Sequence, residues 1–350
     1  MWLKNLLLKG LPGFLLATVL AGFAGWTLND QYEKARVEAR DQFIAVDVKD
    51  ALQDKALVLA RTFNAIYENA RMISLLPGMR SVKAGNRHDD TEDVVATGKM
   101  SRNDYDTVQQ VYNNLASDVS VSEVYAVLDG FAPQRKEIPF FMFDSLIIGG
   151  RSAAEDEKTA TNSDIPEESE DAEYTYYPTQ LATLKARYPQ FNFNRLEDIP
   201  MLASPVMRTC DNTQYLSISK GDVKNADGIL FSVPTYRTEG AFNGLISVIV
   251  RTNVLEASLL GVPMVVVTSE DALQAQRDGW HMPEVSPLIL TNEAFGVQVF
   301  DRRNADIAAR IENKSEQGKT VFSQHISAPT GMDWTLHYYL SPAVAQSIDD

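Results

Sequence analysis

The residues able to do chemistry are scattered along this chain, and none falls into a catalytic spacing. The four histidines, His88, His281, His325 and His337, lie far apart with no second histidine at ligand spacing. A histidine-built metal site is therefore not expected. The single cysteine, Cys210, rules out an internal disulfide framework. Alone on an apolar strand, it reads as a small buried hydrophobe rather than a nucleophile. There is no G-x-S-x-G elbow, G-x-G-x-x-G turn, P-loop or H-E-x-x-H helix. The neighbouring Glu270 and Asp271 open a helical pattern and read as charges that suit the helix dipole. No catalytic residue, metal or cofactor is expected.

Polar residues inside apolar strands point instead to binding. A small-molecule pocket is mostly apolar with a few converging polar groups. Asp144 follows "FFMF" and would suit a cationic or hydroxyl ligand. Arg208 lies in the apolar stretch "LASPVMRTC". If buried, it needs a carboxylate, either from a ligand or from Asp211, Asp144 or another acid. Tyr125 within "EVYAV", Tyr215 and Ser217 in "QYLSISKG", and Ser232 and Tyr236 on either side of Pro234 complete the candidate ligand-binding set. For the tyrosines, core packing is the plain structural alternative.

These side chains need strands to hold them. In "ILFSVPTYRTEGAFNGLISVIV" (229–250), two β-branched apolar runs flank a polar turn, which predicts a hairpin. Pro234 is expected near the end of its first strand, because it has no N–H for a central ladder. "VSEVYAVL" and "EIPFFMFDSLII" predict two strands, and "SRNDYDTVQQVYNNLASD" a helix capped by Ser101 or Asn103. The acidic stretch 151–173 reads as a surface insertion, followed by a short helix "LATLKARYPQF". After residue 253 a smaller set follows: strands "PMVVVTS", "AFGVQVFDRR", "KTVFSQHIS" and "DWTLHYYL", with helices "DALQAQRDG" and "NADIAARIEN".

Everything hangs from the N-terminus. Lys4 and Lys9 precede an uncharged run from Gly10 to Asn29. That run is long enough to cross a bilayer, where about 20 residues suffice. It exceeds a signal-peptide core of about 7–15 residues, so a retained anchor is expected over cleavage after Ala24. The lysines would keep the N-terminus inside, placing residues 30–350 in the periplasm of a bacterial inner membrane. A stem helix over 30–77 carries Leu52, Ala56, Leu59, Phe63, Ile66, Ala70 and Ile73 at alternating spacings of four and three. That stripe faces a core or a second copy, which makes the stem a candidate homodimer surface. The net charge of −15, from 47 acids against 32 bases, argues against a nucleic-acid partner.

The anchor, the stem ending in "ISLLPGMR", the strand "VSEVYAVL", the pair "GILFSVPTYRTEGAFNGLISVIV" and the closing "DWTLHYYLSP" together resemble a bacterial double-Cache (PDC, PAS-like) sensor region. The resemblance implies an α+β fold: a transmembrane helix, a long stem helix and two PAS-like antiparallel-sheet modules. These modules are expected at 78–253 and 254–345, with 346–350 as a tail. It also implies a small-molecule ligand in the membrane-distal module. A second span and an output domain (cyclase or phosphodiesterase, kinase or chemoreceptor) are not found before Asp350. The chain is thus expected to be truncated or to be an anchored sensor without its own output. The Arg-x-Trp-Tyr element of the amino-acid-binding subgroup is absent. The alternatives are an anchored periplasmic assembly protein that uses the stem as its surface, and an anchored periplasmic enzyme.

Overall fold

Short apolar runs rich in β-branched residues predict strands, and the computed structural model contains two antiparallel sheets. It describes residues 2–43, 46, 49–89, 91–119, 121–144, 170–209, 227–252, 255, 259, 288–300, 320–327 and 332–339. The chain divides into two units. One contains helix α1 (Trp2–Phe43), and the other, Leu52–Tyr339, holds both sheets. Helix α1 runs unbroken from the apolar segment into the charged stretch after Asp30. Among the described residues no helix is long and apolar enough to cross a membrane, so the anchor rests on the sequence pattern alone.

Helix α2 (Lys49–Leu75) buries its whole predicted stripe, from Leu52 through Phe63 to Ile73. The stripe packs within the chain and is not left open to a second copy. Short helices α3 (Pro77–Ser81) and α4 (Val94–Gly98) follow. In α5 (Arg102–Val119), the Ser101 hydroxyl caps the first turn by accepting from the Asp104 N–H at 3.0 Å. Val108 and Tyr112 are its buried face.

The larger sheet comprises β1 (Val121–Leu128), β2 (Phe141–Asp144), β3 (Leu202–Ala203), β4 (Met207–Arg208), β5 (Asp227–Tyr236) and β6 (Phe242–Arg251). Its order is β2-β1-β6-β5-β3, with β4 also on β5, and every pairing is antiparallel. The β5–β6 pair is the predicted hairpin. Its turn closes with Arg237 N–H donating to Ala241 O at 2.8 Å and with Gly240 at φ +92°. Gly244 is the third residue of the return strand, and a Cβ there would meet Val127 O at 2.2 Å. Pro234 lies beyond the last β3 pairing, at Ser232, so its missing N–H leaves no gap there.

Two expectations are corrected here. "LASPVMRTC" is not one strand. It splits into β3 and β4 around Pro205, which cannot continue a ladder. The acidic insertion does not reach 173, because helix α6 (Glu170–Arg187) already runs there. Its Tyr174, Tyr177, Leu181 and Leu184 recur at three and four and bury against the sheet. That burial carries the helix through Pro178, despite the backbone hydrogen bond a proline forfeits.

The smaller sheet, β7 (Leu288–Asn292), β8 (Val297–Phe300), β9 (Thr320–Ser327) and β10 (Asp333–Tyr339), has the order β8-β7-β10-β9. Strand β7 was not among the expected strands, because its apolar run is only three residues long. "PMVVVTS", "QYLSISKG", Cys210 and the two helices expected at 271–279 and 304–313 lie outside the described residues.

Both sheets meet α2 through one aromatic cluster. Phe231 of β5 packs on Phe63 and Tyr67, with ring centroids at 6.3 and 5.7 Å. Trp334 of β10 stacks on Phe63 at 4.6 Å and 11°. Its indole N–H donates to the Tyr67 hydroxyl at 2.9 Å, and both residues are fully buried. Trp334→Phe keeps a ring on Phe63 but removes this donor. It is expected to destabilise by about 1 kcal/mol, against about 3–5 kcal/mol for Trp334→Ala. Urea unfolding of the two variants beside the wild type checks the ordering.

Candidate ligand-binding site

Alternation gives the larger sheet two different faces. Val124, Ala126, Phe231, Val233, Ile246 and Val248 line the α2 face and are wholly buried. The residues between them turn to α6. Across that second face runs one cross-strand row: Tyr125 of β1, Ser247 of β6, Ser232 of β5 and Leu202 of β3. Glu123 is two residues before Tyr125 and so shares its face, beside Ile249. A bulge between Val121 and Glu123 immediately precedes it. Such a bulge bends the strand and re-aims the side chains next to it.

Helix α6 lies over this row and adds polar groups of its own. Glu173, Tyr177 and Gln180 recur on the same stripe as Leu181 and Leu184. The Tyr125 hydroxyl donates to Glu123 Oε2 at 2.5 Å. The Ser232 hydroxyl donates to Gln180 Oε1 at 2.8 Å and lies 3.0 Å from the Ser247 hydroxyl. Glu123 is 1% exposed and Glu173 0%, so both side chains are buried. Tyr174, Leu230, Leu245 and Ile249 belong to the same buried cluster as Tyr125 and Tyr177. The Tyr177 hydroxyl and Gln180 Nε2 are shut off from water and meet no hydrogen-bond partner. The Ser247 side chain is beside the Tyr177 hydroxyl, off hydrogen-bond geometry. Each such buried group left unpaired costs about 1–3 kcal/mol.

Burial, reinforced by Glu123 and Glu173, pushes the Tyr125 hydroxyl well above the usual tyrosine range. Burial and Glu173 do the same for Tyr177. Both hydroxyls therefore stay protonated at neutral pH. The cluster presents hydroxyls, an amide and carboxylates, groups able to engage a ligand by charge and hydrogen bonds.

Of the sequence candidates, Tyr125 and Ser232 are brought together here. Asp144 stands opposite Glu123 in the β1–β2 register. Tyr236 shares the face but lies at its far end, where its hydroxyl donates to Tyr188 O at 3.1 Å and its ring packs on Phe191, Phe193 and Phe242. Arg208 is corrected. It is exposed on the two-residue β4, in register with Asp227, so water solvates its charge and no buried partner is required. Tyr215 and Ser217 lie outside the described residues. Sequence reasoning missed Glu123, Ser247, Glu173, Tyr177 and Gln180. Glu123 and Ser247 carried a signal, since each is a polar residue in phase with a chosen candidate on an alternating strand. The α6 residues carried none, because acids and Pro178 disguised their helix.

Elsewhere, His337 lies between the Thr291 and Ser323 hydroxyls, each at 2.9 Å, and burial lowers its pKa. Among the described residues no group of histidine, cysteine or carboxylates could hold a metal ion.

No family model matches the chain, and no curated protein matches it in sequence. Among solved structures it is similar to the sensory domain of the Campylobacter jejuni chemoreceptor Tlp3, at 11% identity and a TM-score of 0.39. The match covers 89% of this chain and 98% of that one. A likeness of that depth does not carry a function.

The tyrosines set an alkaline limit. Unfolded, each loses its proton near pH 10, whereas Tyr125 and Tyr177 hold theirs to higher pH in the fold. Above about pH 10 the unfolded state binds fewer protons at these tyrosines, so their contribution to stability is constant below that pH and falls above it. The slope is about 1.4 kcal/mol per pH unit for each such tyrosine. Tyr125→Phe removes one tyrosine's share of that slope. At neutral pH it costs about 1–3 kcal/mol, because Glu123 Oε2 loses its donor. Unfolding free energies from about pH 8 to about pH 11 check both effects.

Proposed function

We propose that this chain is the ligand-sensing region of a bacterial membrane receptor. Its ligand is a small molecule carrying positive charge or several hydrogen-bond donors, held between β1, β5, β6 and α6. The observation that carries this reading is the buried polar face itself. The Tyr177 hydroxyl and Gln180 Nε2 have unused hydrogen-bonding capacity beside Glu123, Glu173, Ser232 and Ser247. Such groups persist in a fold when a ligand completes them. The double-Cache pattern of the sequence supplies the setting: one N-terminal span, residues 30–350 in the periplasm, and an output domain outside these residues.

Signalling then follows from the two faces of one sheet. A ligand that binds one arrangement of α6 against the sheet more tightly than another shifts the population between them. The same strands carry Phe231 against α2 on their other face, so a shift in the sheet bears on the stem helix.

A thermal-shift screen of the full chain against amines, amino acids and polyols tests this. A saturable rise in unfolding midpoint is expected for at least one cationic compound. Glu173→Gln, which keeps the shape but removes the charge, is expected to weaken that compound at least about tenfold, the loss of one charge-assisted bond. If no compound stabilises the protein, or if the hit is indifferent to both Glu173→Gln and Ser232→Ala, the site is not a ligand site.

A further inference from the structure

Arg71 of α2 is a buried charge that the site under α6 does not use. Its side chain is fully enclosed. Its Nε donates to Ile199 O at 2.8 Å, and its guanidinium lies 5.9 Å from the centroid of the Tyr67 ring. Its Nη1 and Nη2 are shut off from water and meet no hydrogen-bond partner. Arg87 shows the ordinary arrangement. Also buried, at 6% exposed, it donates to the carbonyls of Pro139, Phe140, Asp89 and Glu92. A buried cation without such partners is costly, by several kcal/mol on the usual scale.

The geometry also says what would complete it. The Ile199 carbonyl and the Tyr67 ring hold the guanidinium plane, and the Trp334 N–H in turn holds the Tyr67 hydroxyl. The two Nη atoms remain as a fork, which matches two oxygens of one planar anion. Glu68, Glu197 and Asp198 are close enough to act on Arg71 electrostatically. None of them pairs with it, and Glu197 and Asp198 are held by Arg195 at 3.2 and 3.4 Å. Those acids disfavour a doubly charged guest. The neighbouring Tyr67 and Ile199, both buried, favour an apolar body behind the anionic group.

We propose that Arg71 anchors a second ligand site, between α2 and the segment 195–199, for a small singly charged carboxylate. It is separate from the site under α6. Phe231, against Tyr67, and Ser232, against Gln180, are consecutive and face opposite sides of the sheet. A carboxylate there acts on the stem helix directly rather than through the sheet.

The test uses the full chain at constant ionic strength with acetate, propionate and benzoate, against chloride and inorganic phosphate. The carboxylates are expected to raise the unfolding midpoint saturably and to shift the Arg71 guanidinium resonances in an NMR titration. Arg71→Met is expected to abolish the response. Arg71→Lys, which keeps the charge but loses the fork, is expected to weaken binding at least about tenfold. If Arg71→Met does not fold, the wild-type titration decides alone. No saturable shift, a response that survives Arg71→Met, or phosphate outperforming every carboxylate each overturns the proposal. So does an Arg71→Met protein that is more stable than the wild type in a chain indifferent to carboxylates, since Arg71 is then purely structural.

Discussion

The strict alternation of side chains along β1, β5 and β6 is the constraint on which the rest of this protein depends. Each strand must serve two environments at once. Phe231 and Val233 go to the aliphatic and aromatic side against α2, and Ser232 goes to the polar side under α6. A slip of one residue in register would place Phe231 under α6 and Ser232 against α2, inverting both faces. The hairpin turn at Gly240 and the close approach at Gly244 hold that register from one end. The bulge before Glu123 adjusts it at the other.

The α2 side is where stability is concentrated. Phe63, Tyr67, Phe231 and Trp334 form one aromatic cluster drawn from a helix and both sheets. Buried aromatics of this size dominate a core through their area, and the Trp334–Tyr67 hydrogen bond removes the one polar cost the cluster would otherwise carry. The α6 side is different in kind. There the fold tolerates two buried carboxylates and several buried hydroxyls, which a core built for stability alone would replace with apolar groups. Local departures of this sort from good packing are typical of recognition sites.

Much of the frame was legible without coordinates. Every residue of the heptad-like stripe marked on α2 is buried, because a helix packed on a core must repeat near 3.6, but the stripe left out Tyr67 and Arg71, which the helix buries as well. The strands β1, β5 and β6 were legible as short runs of apolar, β-branched and aromatic residues, as buried strands require. Helix α6 was not. Its N-terminal turn is acidic and it contains Pro178, so local propensity pointed to a loop. The burial of Tyr174, Tyr177 and Leu181 against a distant sheet overrode that propensity.

The candidate site divides along the same line. Tyr125 and Ser232 were visible as polar residues in apolar strands, and Glu123 and Ser247 were open to the same reading by phase. Sequence alone determined the two periodicities, the acidic balance, the hairpin and the absence of a catalytic spacing, because these depend on residues close together in the chain. Only the tertiary structure decided that Arg208 stays in water while Arg71 and Glu173 do not. Burial of a charge is set by what packs over it, and for Arg71 the segment that meets it lies more than a hundred residues away in the chain.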